Sequence, residues 1–153
     1  MGIISLYLGS IVLANILVHT FGIVTFLGIT FPVGAVLIGV TFSFRDLLQQ
    51  KQGKWGCWKW MITAMGITFV FSRNIAIAST AAFIVSEIID WFIFTYSNRP
   101  FKQRIVLSNL FGTPIDSIIF VVFAFGWNWQ AIWGQTVVKF LSSLIVLMFK
   151  KTE

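Results

Sequence analysis

Residues 86–117 read SEIIDWFIFTYSNRPFKQRIVLSNLFGTPIDS: two apolar runs joined by a short basic loop, with Glu87, Asp90, Asn109 and Asp116 set inside the runs. A carboxylate at bilayer depth costs on the order of 2.5–3.5 kcal/mol on insertion scales. Three in so apolar a stretch require partners, water or a ligand. Together with Asn109 they are expected to form the floor of a site inside the membrane.

The class follows from what surrounds that stretch. The 153 residues are 58% hydrophobic and 17% aromatic, and only 10% are charged, against roughly 25% in a soluble domain. Mean hydropathy is +0.90. At ~20 apolar residues per span, the chain is predicted to be an all-α integral membrane protein. Residues 1–153 would form a single domain, a compact bundle of six transmembrane helices with short loops. The net charge of +6 gathers at span ends, which argues for orientation in a bilayer and against a nucleic-acid partner. Cys57 is the only cysteine, which excludes an internal disulfide or a thiolate metal cluster. It is expected to be a small packed side chain.

The first apolar run covers 3–25 and follows Met1 without a basic leader, so it is expected to remain as the first span. Gly28 and Pro32 punctuate the start of a second run ending near Phe44. The polar stretch 45–54 suits a short interfacial extension, and Trp55, Trp58 and Trp60 are expected to anchor the third run, about 57–72, at the interface. Arg73 and Asn74 break it from the fourth, 75–96. One straight helix over 55–96 would be about 63 Å long, twice the bilayer core, so a hairpin is predicted. The fifth run, about 105–126, contains Pro114, expected to bend or unwind the helix beside Asp116. A sixth run follows the aromatic turn 126–133.

Charge then sets the orientation. Arg45, Lys51, Lys54 and Lys59 flank the second connection, Arg99, Lys102 and Arg104 the fourth, and Lys150 and Lys151 the end, whereas the opposite connections offer only Arg73. Both termini are predicted to be cytoplasmic.

Glu87 and Asp90, at i and i+3, share one helix face, and Asn109 and Asp116, seven apart, nearly superpose down theirs. A pocket between the fourth and fifth spans is predicted. Asn15 and His19, at i and i+4, are expected to reach it from the first span, Trp91 is a candidate stacking surface beside Asp90, and Lys139 is expected to neutralise an acid. No phosphate loop, zinc-ligand spacing or paired nucleophile and base is present. Neither catalysis nor a cofactor is expected.

Three stretches carry a resemblance to a known group. Asp46, Gln50 and Gly53 occupy the places of an aspartate, an acid four residues on and a glycine three beyond, Gln50 departing from the acidic pattern. Ser86, Glu87 and Asp90 are similar to a glutamate-containing fourth span. Arg104, Ser108, Asn109 and the run Pro114-Ile115-Asp116-Ser117 are similar to the span after it. On these residues the chain resembles the queuosine precursor transporter family, also called the vitamin uptake transporter family.

The resemblance implies import of 7-cyano-7-deazaguanine or its 7-aminomethyl analogue, with Arg45, Asp46, Gln50, Arg104 and Ser108 as gating or motif positions. A guanine-like edge offers two adjacent donors that one carboxylate accepts together, a role that suits Glu87 or Asp116. Two other readings stand beside it: a substrate-binding membrane subunit of an energy-coupling-factor transporter, and a small proton-coupled carrier of cationic compounds. Small residues along the helices also suit a homo-oligomer in the bilayer.

Overall fold

The computed structural model describes residues 2–97 and 99–149, and within its helices the side chains of Gln50, Lys54, Glu87, Asp90, Trp91, Phe94, Thr95, Phe101, Lys102 and residues 145–149 lie outside the described set. Helix α1 (Gly2–Phe21) ends four residues before the apolar run does. Gly22 takes a left-handed φ of 63° and its N–H bonds to the Val18 carbonyl at 2.8 Å, a cap that glycine adopts without a Cβ penalty.

A β-hairpin then interrupts the helices, which corrects the all-α expectation. Strands β1 (Ile23–Phe26) and β2 (Ile29–Pro32) pair antiparallel, Phe26 opposite Ile29 and Ile23 opposite Pro32. Their residues are mostly β-branched or aromatic, which suits a pleated surface. Leu27 and Gly28 both have positive φ, 50° and 80°, as a two-residue hairpin turn of this hand requires. The Thr25 and Thr30 hydroxyls meet across the pair at 2.9 Å.

Helix α2 (Ala35–Phe71) has 37 residues and is interrupted at Gly53, φ 72° and ψ 177°. Unbroken, it would be about 55 Å long. Contacts to α1 show that it doubles back: Thr41 of the first arm bonds to Ser10 at 2.7 Å, whereas Asn15, farther along α1, bonds to Thr68 of the second arm at 3.2 Å. The arms 35–52 and 54–71 therefore run in opposite directions, and Trp60 Nε1 donates to Gln52 Oε1 across the turn at 3.0 Å. Ser72 alone, extended at φ −156°, ψ 110°, links the second arm to α3 (Arg73–Tyr96). Helix α4 (Phe101–Phe125) continues through Pro114, so of the two expected outcomes the unwinding does not occur. Gly126, at φ 80°, ends it, and the Asn128 side chain accepts from Ala131 N at 3.0 Å to cap α5 (Trp129–Phe149). Among the described residues the fold thus has six helical segments and one hairpin.

Two apolar clusters hold these segments. Toward the Gly53 turn, Tyr7, Ile11, Leu48, Met61 and Phe83 pack together with Cys57, which is fully buried. Trp58 meets Phe83 edge-on at 6.4 Å, so it belongs to this core rather than to an interfacial belt. Trp55 is 88% exposed. Toward the hairpin, Val18, Ala78, Ala82, Phe120 and Ile132 form the second cluster. Among the described residues, Gly2–Phe21 and Gln103–Phe125 are long and apolar enough to cross a membrane. Exposed side chains such as Ile62, Val70, Ile77, Phe111 and Phe123 give the bundle an apolar exterior.

Close approach depends on three glycines. A Cβ on Gly39 would collide with the Lys139 carbonyl of α5, one on Gly34 with the Ala14 carbonyl of α1, and one on Gly134 with the Thr30 carbonyl of β2. Forcing an extra methyl into such a contact costs about 1–3 kcal/mol. Gly39→Ala is expected to lower the unfolding temperature of the detergent-solubilised chain. Gly66→Ala, which meets nothing within 4 Å, is expected to leave it unchanged or raise it. Equal behaviour of the two variants would remove the tight α2–α5 contact from the account.

Candidate functional site

Asp116 projects from the middle of α4, is 4% exposed, and pairs with Lys139 of α5, which is 2% exposed. The Lys139 ammonium donates to Asp116 Oδ2, and the Ser86 hydroxyl of α3, shared with the Ala82 carbonyl of its own helix at 2.8 Å, reaches Oδ1 at 3.1 Å. Lys139 Nζ also lies 5.3 Å from the centre of the Phe120 ring, within the range of a cation–π attraction. The expectation that Lys139 neutralises an acid holds, and the acid is Asp116. Three helices are tied at this point.

A second polar junction sits on α1. Asn15 is 2% exposed; its amide donates to Thr68 Oγ1, and its carbonyl oxygen accepts from Ser79 of α3 at 2.7 Å. The Thr68 hydroxyl donates in turn to the Ala64 carbonyl at 3.0 Å. Asn15 thereby joins α1, the second arm of α2 and α3. Between the two junctions lies a cavity lined by Asn15, Thr41, Ser79, Asp116, Gln135 and Lys139 on its polar side and by Phe42, Phe83 and Phe120 among its apolar groups. The centre of a water-sized sphere can move through about 30 Å³ of it, room for a water or two. It lies among α1, both arms of α2, α3, α4 and α5, rather than between the fourth and fifth spans alone.

Gln135 is the residue that sequence reasoning missed. It is 1% exposed and its Oε1 has no hydrogen-bond partner among the described residues, although a buried unsatisfied acceptor costs roughly 1–3 kcal/mol. One signal was available: Gln135 and Lys139 stand at i and i+4 on the last apolar run, so a buried Lys139 brings Gln135 to the same face. The three phenylalanines carried no signal in a chain with 17 of them.

The other sequence candidates separate. His19 lies in the last turn of α1 and is exposed, so the structure does not bring it to the cavity with Asn15. Asn109 is buried at 2% exposure but lies two turns from Asp116, outside the cavity lining, and its Nδ2 has no partner among the described residues. Ser108 donates to the Ile105 carbonyl of its own helix at 3.3 Å. Arg104, part-buried on the first turn of α4, is likewise outside the cavity. Arg45, expected among the orienting surface charges, is buried: its guanidinium donates to Asp46 Oδ1 at 2.9 and 3.1 Å and lies 5.3 Å from the Phe42 ring centre. Glu87, Asp90 and Trp91 belong to the helical backbone of α3, and Gln50 to that of α2, but their side chains lie outside the described residues.

The lining therefore combines a mutually neutralised ion pair, an unspent amide acceptor and three aromatic faces. It suits an uncharged, flat guest with both donors and acceptors. A bare cation would meet an ammonium already seated at the carboxylate.

If the ion pair governs this site, breaking it from one side leaves an uncompensated buried charge, at a cost of about 3–5 kcal/mol. Asp116→Asn is expected to destabilise the detergent-solubilised chain by that order. The double variant Asp116→Leu/Lys139→Met is expected to recover most of the loss. Additive destabilisation in the double variant would show that the two groups do not act as a pair.

A family model described as "Putative vitamin uptake transporter" matches residues 4–151. A search of curated proteins and a search of solved structures each returned no match.

Proposed function

Because the chain belongs to the vitamin uptake transporter family, matched over residues 4–151, we propose that it imports a deazaguanine precursor of queuosine, 7-cyano-7-deazaguanine or its aminomethyl analogue, through the cavity at Asp116 and Lys139. The observation that carries the reading is the buried Gln135 Oε1, which has no partner among the described residues and lines a cavity containing a neutral ion pair. A deazaguanine brings what that lining lacks. Its ring N–H and exocyclic amine are donors, and its ring carbonyl is an acceptor.

The donors and acceptors balance. A carboxylate offers about four acceptor positions; Ser86 and Lys139 account for two at Asp116, leaving capacity for the paired donors of the base. Gln135 Oε1 takes a further N–H. An ammonium has three donors, so Lys139 can serve Asp116 and the ring carbonyl together. Stacking on Phe42, Phe83 or Phe120 supplies about 1–3 kcal/mol, as for bases on aromatic side chains elsewhere. A bicyclic base exceeds the cavity's volume, so import through it requires the walls to part and close over the base, as in alternating access around a fixed site. Net neutrality of the lining favours the uncharged cyano base over the aminomethyl analogue, whose primary amine is an ammonium at neutral pH, and over other cationic compounds.

In this reading the bundle spans the inner membrane six times, with the Gly53 turn, the 97–100 loop and both termini at the cytoplasmic face, where the basic residues gather. Accumulation of radiolabelled 7-cyano-7-deazaguanine by liposomes holding only the purified chain tests the proposal. Uptake is expected, and Gln135→Met, which keeps volume and removes the acceptor, is expected to weaken it about five-fold or more. Uptake that appears only with an added ATPase complex would instead favour the energy-coupling-factor reading. Absence of uptake for either analogue under both conditions would overturn the substrate assignment.

A further inference from the structure

On the far side of the wall that closes the cavity lies a groove between the hairpin and the start of α5, with Thr25 and Thr30 on one bank and Trp129, Gln130, Trp133 and Gly134 on the other. The centre of a water-sized sphere can move through about 750 Å³ there, against about 30 Å³ in the cavity. Of these two, the groove is the one with room for a bicyclic base in this conformation. Its aromatic bank is exposed: Trp129 is 56% and Trp133 64% accessible, with ring centres 6.4 Å apart.

The groove and the cavity share their walls. On α5, residues 130, 133, 134 and 137 face the groove, whereas Gln135 and Lys139 face the cavity. On the hairpin, Thr30 borders the groove and Pro32, at the end of the same strand, borders the cavity. The partition between them is the seam where β2 presses its Thr30 carbonyl against Gly134, a contact that any Cβ at position 134 would prevent. A two-stranded hairpin is marginal by itself, so this partition is held by its packing on α5.

We infer that the groove between the hairpin and α5 is an outer capture subsite that stacks the same planar base on Trp129 and Trp133 before it passes the β2–α5 seam into the cavity. The inference rests on the deazaguanine reading above. The indoles supply a flat face, the Gln130 amide and the two threonine hydroxyls supply donors and acceptors at its edge, and Gln135 and Lys139 wait on the next face of the same helix. Capture and occlusion would then be successive positions along α5. Opening this partition needs β2 to lift from Gly134, and the cavity walls part behind it to admit the base.

Uptake kinetics of radiolabelled 7-cyano-7-deazaguanine in liposomes holding the full chain test the subsite. The Trp129→Leu/Trp133→Leu variant is expected to raise KM about ten-fold, far more than it lowers the maximal rate per reconstituted molecule. The corresponding Trp→Phe pair, which keeps aromatic faces, is expected to restore most of the change. Indoles that serve only as interfacial anchors would alter the amount of chain reconstituted and leave KM where it was, and that result overturns the subsite while leaving the transport reading intact. A parent chain that takes up neither analogue overturns both.

Discussion

An ammonium and a carboxylate cannot be left singly among apolar helices, and the pairing of Lys139 with Asp116 is the constraint around which this bundle closes. Removing both ions from water costs several kcal/mol per ion, which only good geometry and further hydrogen bonds recover. The sequence supplies both. Ser86 brings α3 to the carboxylate, Phe120 presents its ring to the ammonium, and Gly39 lets the first arm of α2 lie directly on the backbone of Lys139. Ser43, one turn farther along that arm, donates to the Ser143 carbonyl at 2.9 Å and fixes the same approach. The ion pair thus sets how four of the six helical segments meet.

The site inherits its character from this arrangement. A carboxylate already neutralised exerts little net pull on a cation but keeps acceptor capacity for a donor-rich edge. Asn15 is held at both ends of its amide by Thr68 and Ser79, so it braces the wall, and the acceptor with no partner among the described residues is Gln135. Flat phenylalanine faces and a small internal volume favour a planar guest. A transporter has reason to keep such a site incomplete when empty, since a buried acceptor with no donor costs free energy that the ligand relieves.

Much of this was legible in the sequence because hydrophobic runs of about 20 residues have few alternatives. Six segments, the reversal within 55–96 and the importance of Asp116 and Lys139 all follow from runs and intruding charges. The hairpin did not, since residues 23–32 are as apolar as the helices on either side. Its signals were local: β-branched residues on both sides of Leu27-Gly28. His19 shares a helical face with Asn15, yet α1 stops two residues later and leaves it exposed; periodicity gives a face but not a depth. Arg45 looked like an orienting charge because its neighbour Asp46 was not recognised as its partner. Gln135 was hidden by its setting, a single amide close to a tryptophan-rich turn and easily taken for the end of the loop.

The one-residue link at Ser72 serves two helices at once. Its N–H donates to the Thr68 carbonyl at 3.0 Å, closing the second arm of α2, and its hydroxyl accepts from Ile75 N at 3.4 Å, opening α3. The guanidinium carbon of the next residue, Arg73, lies 5.6 Å from the centre of the Phe69 ring, within the range of a cation–π attraction, and braces the same corner. With no spare chain between them, the two helices form a stiff elbow, and any displacement of one is handed directly to the other.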